Sequence, residues 1–358
     1  MKNRYPNSKD LFLENGLAQD GRDLKMLTTC RSLKNMRVVV VFPIARGKDD
    51  AIENLLRAYG QVAYEKQVTF TELGQYNLIR ILYFNMHWID PDGDITYGVR
   101  HHVDHRFWKD ESVKFYFFNF DDTSKILEAK AHLRALFDLK NFPVHINDTH
   151  DETIWVAEHI LTPNSIYFMN HAQPWLCKKF LKCLRVFHQE IDQQGLDKDD
   201  FCLIGDPMLA AFGLRDTKHI DFLYFGDDSG LDFASKFRSL NEIISNVKPL
   251  ISDLVFDPRN YFYFRGMKFI SPAAYRDMLL QLHWPKINKV ARLLDSIAGE
   301  SFDIYRFWRN LRFVYKKTFI QVTHIDLEQF RILVPKFLRP MLKKIYERMT
   351  NQSQNKNA

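Results

Sequence analysis

Hydrophobic positions in the first half of the chain alternate between strand-like runs and helix-like spacings. The strand-like runs cover residues 36–45, 62–70 and 113–120, and apolar residues recur at helical spacing in 48–59 and 124–137. Residues 77–88 are rich in aromatic side chains and fit a helix or a strand. The β-branched run at 36–45 is typical of a strand buried on both faces of a parallel or mixed sheet. This alternation predicts an α/β domain with a mixed sheet.

The second half of the chain opens with a short apolar strand at residues 201–204. A Gly-Asp turn follows it, then one short helix and a second apolar strand at 219–225. Further on, residues 261–270 indicate two strands that turn at Arg265 and Gly266. Helices are predicted for 231–247, 271–282, 289–297 and most of 302–349. This half therefore fits an α+β domain followed by helices.

The length of 358 residues exceeds that of a typical single domain, so we expect more than one. Residues 190–200 are polar and rich in turn formers, which favours a boundary there. We predict a flexible N-terminus at 1–25, an α/β domain at 26–195, and a second domain at 196–300. Basic amphipathic helices at 301–350 and a disordered tail at 351–358 complete the prediction.

Composition excludes several classes of protein. An apolar content of 46% with 26% charged residues is that of a globular protein with a sizeable core. The four cysteines form no metal-type pairs, so we expect buried free thiols in a reducing compartment. The first residues have no apolar run behind them, so we do not expect them to form a signal peptide, and no apolar run approaches the length of a bilayer-spanning helix. We expect a cytoplasmic protein that is at most peripheral on the inner membrane face.

The turn after residue 204 has the features of a phosphate site. Gly205 permits a sharp turn at the end of a strand, Asp206 occupies the predicted N-cap position, and Pro207 fits the first helical position. Free N–H groups at such a helix start attract phosphate. On the following strand His219 and Asp221 are predicted to share one face, because strand side chains alternate. Two ligands that face a phosphate-holding turn are typical of metal-assisted nucleotidyl transfer.

This pattern resembles the nucleotidyltransferase-fold superfamily, in which a Gly-Ser turn and a short helix precede a strand with two acidic residues one apart. Here Gly205 and Asp206 match the turn, and His219 and Asp221 match the paired positions. The stretch 209–215 followed by His-Ile-Asp-Phe-Leu is most similar to variants of bacterial surface-polysaccharide enzymes. The segments 266–271 and 284–286 are similar to the family's downstream region. The resemblance covers roughly residues 200–297.

The resemblance implies a Mg²⁺ or Mn²⁺ ion held by Asp221 and by a further carboxylate from a later strand. Asp253, in the alternating segment 251–255, is the candidate for that carboxylate. Three other aspartates are alternatives: Asp227, Asp228 and Asp257. The chain departs from the family at two positions. Asp206 replaces the serine and brings negative charge to the phosphate turn, and His219 replaces an acidic residue, although Mg²⁺ prefers oxygen ligands.

A second polar segment lies in the first half of the chain, at His145, Asp148, His150 and Glu152. Its spacing is compatible with a site-lining role. Thr149 and Glu152 also form the pattern of a capping box, in which each side chain bonds the backbone of the other at a helix start. Capping is the favoured interpretation, and the two roles are compatible.

The net charge of +6 is concentrated at one end of the sequence. Residues 301–358 carry 12 Lys and Arg against 4 Asp and Glu, a surplus of +8, so residues 1–300 sum to −2. The cations of one segment alternate with aromatic residues: Arg306, Arg309, Arg312, Lys316 and Lys317. Such a helix is compatible with an anionic membrane surface, a lipid-linked glycan, or a solvated face. Without a wider basic field, specific nucleic-acid binding is not expected.

These observations predict transfer of nucleotidyl or sugar-phosphate groups in cell-surface glycan synthesis. Asp221 would bind the metal, Gly205 and Asp206 the phosphate, and His219 would be a ligand or an acid–base group. Two alternatives remain open. One is a glycosyltransferase that uses a nucleotide sugar in the first domain, and the other is a non-catalytic relative that binds a nucleotide or partner at the membrane surface.

Overall fold

The computed structural model describes residues 21–45, 47–90, 96–107, 112–137, 143–245 and 249–283, with 290, 293 and 294. The chain divides into two compact units, Met1–Phe307 and Trp308–Ala358, and every described residue lies in the first. Both sheets described below belong to that unit. The predicted boundary between residues 195 and 196 stays a prediction.

The first sheet has four strands in the order β2-β3-β1-β4, and every pairing is antiparallel. Its strands are β1 (Met36–Val41), β2 (Gly60–Thr69), β3 (Ser112–Phe120) and β4 (Val144–Ile146). The helices among them are α1 (Gly21–Ser32), α2 (Asp49–Leu56), α3 (Glu72–Leu82), α4 (Tyr97–Arg106) and α5 (Ile126–Ala135).

The prediction of a parallel or mixed first sheet is wrong. The run of valines is typical of a strand buried on both faces, and β1 is buried at all six positions. On one face Val39 and Val41 pack with Ile52 of α2 and Leu133 of α5. Helix α6 (His150–Ile160) also contacts β1. Helices therefore bury both faces of an antiparallel strand, and hydrophobicity alone does not distinguish this from a parallel one.

The second sheet has five strands in the order β7-β6-β5-β9-β8, with both parallel and antiparallel pairs. Its strands are β5 (Phe201–Ile204), β6 (Ile220–Tyr224), β7 (Phe237–Ser239), β8 (Tyr261–Phe264) and β9 (Met267–Ile270). The remaining helices are α7 (Pro163–His171), α8 (Lys178–Gln193), α9 (Asp206–Ala211), α10 (Asn241–Ile244), α11 (Ile251–Phe256) and α12 (Pro272–Gln281).

Helix α8 covers one face of the second sheet. The ring of Phe187 lies 5.9 Å from that of Phe201 and 5.4 Å from that of Phe222. On the opposite face Lys268 donates a hydrogen bond of 2.8 Å to the carbonyl of Val255 in α11. Side chains alternate along each strand, so the register of β5 and β6 turns Asp221 away from α8.

Several predicted elements are confirmed. The strand pair at 261–270 turns at Arg265 and Gly266, whose φ angles are +52° and +73°. The helix start at Thr149 is a complete capping box. All four cysteines are free and buried.

Other predicted elements are wrong. Helix α1 begins at Gly21, so residues 21–25 of the segment expected to be flexible are helical, and residues 1–20 lie outside the described residues. The helix expected at 231–247 is replaced by strand β7 and the short helix α10. The strand expected at 251–255 is part of α11, whose start is stabilised by a hydrogen bond of 3.1 Å from the N–H of Leu250 to the Asp253 carboxylate.

None of the helices in the described ranges has the length and apolar character that crossing a bilayer requires. The predicted basic helices at 301–350 lie outside the described residues, as does most of the helix predicted at 289–297.

Candidate functional site

The candidate site lies at the end of β5, where the buried strand stops at Ile204 and the chain turns at Gly205. Gly205 has φ +70° and ψ −131°, a conformation that favours glycine because it has no Cβ. Asp206 was predicted to be the N-cap of this helix, but it is the first residue of α9. Gly205 occupies the N-cap, and Asp206 makes no capping hydrogen bond from there. Helix α9 has only six residues, so we assign no phosphate binding to its dipole.

Asp221 stands beside this turn because it pairs with Ile204 across β5 and β6. Its side chain is 13% exposed. A Cβ built on Gly205 would lie 3.6 Å from the Oδ2 atom of Asp221 and 3.7 Å from the hydroxyl of Tyr275. The glycine therefore leaves a small space that a carboxylate and a phenol face.

Each carboxylate of the site forms an ion pair with an arginine. Arg238 contacts Oδ1 of Asp221 through Nε at 2.8 Å and Nη2 at 2.7 Å. Arg215 contacts Oδ1 of Asp206 through Nη1 at 3.0 Å. The arginine side chains are 60% and 55% exposed, so each guanidinium is open to solvent on one side. The site thus contains two carboxylates and two permanent positive charges.

Tyr275, on α12, completes the cluster. Burial raises the pKa of the Tyr275 phenol, the nearby Asp206 and Asp221 raise it further, and Arg215 opposes this. The phenol is therefore protonated at neutral pH, where it can donate a hydrogen bond but does not act as a base.

His219 does not share a strand face with Asp221 as predicted. Strand β6 begins at Ile220, and His219 is an exposed residue before it. Its N–H donates a hydrogen bond of 3.1 Å to the hydroxyl of Thr217. The backbone N–H of His219 therefore bonds the Thr217 side chain, just before the first residue of β6.

The aspartates proposed as a third carboxylate are engaged elsewhere. Asp253 accepts the bond from Leu250 at the start of α11, and Asp257 pairs with Arg259. Asp227 accepts a hydrogen bond of 3.0 Å from the N–H of Ser229, and Asp228 bonds Ser239. No cluster of three or more potential metal ligands occurs in the part of the chain that is described.

The predicted Mg²⁺ or Mn²⁺ ion does not fit the side chains present at the site. Mg²⁺ requires near-octahedral oxygen coordination. Asp221 faces Gly205 and Asp206 follows it in the chain, and both aspartates bind guanidinium groups. The charged groups described at the turn are therefore two carboxylate–guanidinium ion pairs.

The residues of the second predicted site are dispersed. Glu152 accepts hydrogen bonds from the backbone N–H groups of Asp148, at 2.7 Å, and Thr149, at 3.4 Å. Asp148 forms an ion pair with Lys130. The buried Nδ1 atom of His150 has no hydrogen-bond partner among the described residues. Capping and ion pairing account for Glu152 and Asp148, as the favoured interpretation expected.

His145 belongs to an aromatic cluster that the sequence did not indicate. The ring of Tyr83 lies 4.9 Å from that of His145 and 5.1 Å from that of His102, which stacks on Trp88 at 4.4 Å. Arg106, almost completely buried, contacts His102 and donates a hydrogen bond of 2.8 Å to the hydroxyl of Tyr83.

The two histidines of this aromatic cluster are neutral at pH 7. Burial lowers the pKa of His145 to about 3, and the neighbouring cations Lys130, Arg106 and Arg134 add to the effect. Burial, followed by Arg106, lowers the pKa of His102 to about 4. The cluster therefore combines stacked neutral rings with a positive potential.

Sequence reasoning missed three residues of the main site: Arg215, Arg238 and Tyr275. Arg215 lies between the short helix and the second strand of the predicted phosphate site. Its positive charge was a signal that could have identified it as a partner of Asp206. Arg238 falls in the wrongly predicted helix at 231–247, which concealed its pairing with Asp221 across β6 and β7. Tyr275 comes from a distant helix, and no local pattern points to it.

The basic segment with Arg306, Arg309, Arg312, Lys316 and Lys317 lies outside the described residues. Comparisons with protein-family models, curated proteins and solved structures found no match to this chain.

Proposed function

We propose that the end of β5 binds the phosphate groups of a nucleotide or nucleotide sugar, and that the protein transfers a nucleotidyl or sugar-phosphate group in cell-surface glycan synthesis. One observation carries the proposal. The buried turn at Gly205 lies against Asp221 and Tyr275, and Asp221 and the neighbouring Asp206 each pair with a half-exposed guanidinium group.

Guanidinium groups suit this role because their planar N–H donors match the oxygens of a phosphate group. Arg215 and Arg238 are more than half exposed, so the N–H donors that their aspartates do not engage are accessible to a phosphate group. A phosphate can therefore bind both arginines while each arginine keeps its ion pair. The protonated Tyr275 hydroxyl adds a neutral donor beside the same turn.

Asp221 is the residue on which transfer depends in this proposal. Its Oδ2 atom faces Gly205, while its Oδ1 atom holds Arg238. The carboxylate orients the guanidinium toward the ligand and supplies a base at the turn. The predicted lipid-linked acceptor and the membrane surface depend on residues 301–350, and remain proposals drawn from the sequence.

The test is a turnover screen with nucleoside triphosphates and nucleotide sugars, with and without Mg²⁺ or Mn²⁺. We expect turnover of at least one donor, and a loss of about a hundredfold or more in Asp221→Ala, because the carboxylate contacts the reacting groups. Asp232→Ala is the matched control and should leave turnover unchanged, because Asp232 is exposed and its backbone bonds the side chain of Gln194, just after α8. Absence of turnover for every donor, or equal rates in the two variants, would rule out the transfer.

A second candidate is nucleotide binding without transfer. The pairing of both carboxylates with arginine favours it, as does the lack of a three-ligand cluster in the described residues. It predicts that a nucleotide raises the melting temperature of the protein while no donor is turned over.

A third candidate places nucleotide-sugar glycosyl transfer at the first sheet. The stacked rings around His145 and the buried Arg106 favour it, since aromatic and cationic groups together suit a nucleotide. Substitution of His145 and His150 by Ala would then abolish turnover, whereas Asp221→Ala would not.

A further inference from the structure

We infer that Arg238 takes the place of a divalent cation beside Asp221, so that the site binds a pyrophosphate-containing ligand without metal. This inference rests on the proposed function, because it concerns how the same turn holds phosphate. It goes beyond that function because it assigns Arg238 as the charge partner of Asp221 and a pyrophosphate-containing molecule as the ligand.

The position of Arg238 is set by the sheet. Asp221 and Arg238 are paired residues on the neighbouring parallel strands β6 and β7. Two nitrogens of the guanidinium, Nε and Nη2, converge on the single oxygen Oδ1, at 2.8 Å and 2.7 Å. A cation that used Oδ1 of Asp221 would have to displace this guanidinium. The register of β6 and β7 therefore places Arg238 beside Asp221.

Charge balance supports the same conclusion. Two carboxylates beside the turn would carry two negative charges and repel a phosphate, unless cations neutralise them. Arg215 neutralises Asp206, and Arg238 neutralises Asp221. A bound phosphate therefore meets a neutral carboxylate–guanidinium site, and the arginines offer it their remaining N–H donors.

The two guanidiniums also indicate the ligand class. They belong to different segments, one after α9 and the other on β7, and they bind different aspartates. Two separate cations, each paired with a different aspartate of the site, suit two linked phosphate groups better than one. A nucleoside diphosphate, free or joined to a sugar, has that chemistry.

The experiment is calorimetric titration with ADP and with UDP, in excess EDTA and in excess MgCl₂. We expect the dissociation constant of the preferred nucleotide to differ by less than about threefold between the two buffers. Arg238→Gln should weaken binding in EDTA by about ten- to hundredfold, which is the range for losing hydrogen bonds to a charged group.

The matched control is Arg259→Gln. Arg259 is also an exposed arginine in an ion pair with an aspartate, Asp257, and it precedes β8, the edge strand at the opposite side of the sheet from β7. It should leave binding unchanged, and circular dichroism should show that both variants fold. Binding that requires MgCl₂, or that survives Arg238→Gln, would overturn the inference while leaving the proposed function intact. Absence of binding in both buffers would overturn both.

Discussion

Glu158 is a buried acid in a polar network that joins helix α6 to the second sheet. Its Oε1 atom accepts a hydrogen bond of 2.8 Å from Arg31, which also donates to the hydroxyl of Tyr263 at 2.9 Å. Burial raises the pKa of Glu158 to about 7, and the nearby Asp199 adds to this, whereas Arg31 and Lys268 oppose it. Desolvation outweighs the ion pair, so the folded protein binds a proton that the unfolded chain releases.

This difference in pKa makes stability depend on pH. The folded-state pKa is raised, so the contribution of Glu158 is fully present below its ordinary pKa of 4.5 and is lost as the pH rises through about 7. Relative to Glu158→Gln, which does not titrate, the wild-type protein should lose on the order of 2 kcal/mol between pH 5 and pH 7.5. Urea unfolding of both proteins across this range measures the difference.

Glu242→Gln, at an exposed glutamate on α10, is the control for the substitution and should follow the wild type throughout. Parallel stability curves for the wild type and Glu158→Gln would mean that Glu158 is ionised in the folded protein, with Arg31 dominating its environment.

At the scale of an element, the start of helix α6 is a capping box that the local sequence predicts. The Thr149 hydroxyl accepts a hydrogen bond of 3.2 Å from the N–H of Glu152, while the Glu152 carboxylate accepts from the N–H of Thr149. Both bonds satisfy donors that a helix start would otherwise expose. The helix that begins there contacts β1 and β8, so its start affects both sheets.

Thr149→Ala removes the hydroxyl acceptor and should lower the free energy of unfolding by about 1 kcal/mol. Thr149→Ser keeps the acceptor and should change it much less. Urea unfolding at constant pH compares the two variants. Equal losses in both would show that the methyl group of Thr149, and not the capping bond, supports the helix.

The sequence predicted those elements whose signal is local. The Thr149 capping box, the turn at Arg265 and the valine-rich strand β1 all have such signals, and all are present. The antiparallel pairing of β1 was not predictable, because burial on both faces depends on helices from distant parts of the chain. Arg238 was missed for a related reason, since the three residues of β7 are too few to show a strand period.

At the scale of the whole molecule, the described residues form one compact unit with two sheets. The mixed second sheet and its turn at Gly205 follow the expected strand–turn–helix–strand order. The site itself was only half predictable. Gly205, Asp206 and Asp221 lie close in sequence and were predicted to lie together, whereas Tyr275 and Arg238 join them only through tertiary packing. These added residues pair with both carboxylates or lie beside them, and the proposed ligand is therefore an anion held without a metal.

The most direct test of the central claim is hydrogen–deuterium exchange of the full chain with and without a saturating nucleoside diphosphate. Binding at the β5 turn predicts slower exchange in residues 205–216 and 236–239, with no change in 97–106 or 144–152. Slower exchange confined to 97–106 and 144–152 would place the ligand at the aromatic cluster of the first sheet. That result, or unchanged exchange throughout, would contradict the assignment of the phosphate site to Gly205, Asp221 and the two arginines.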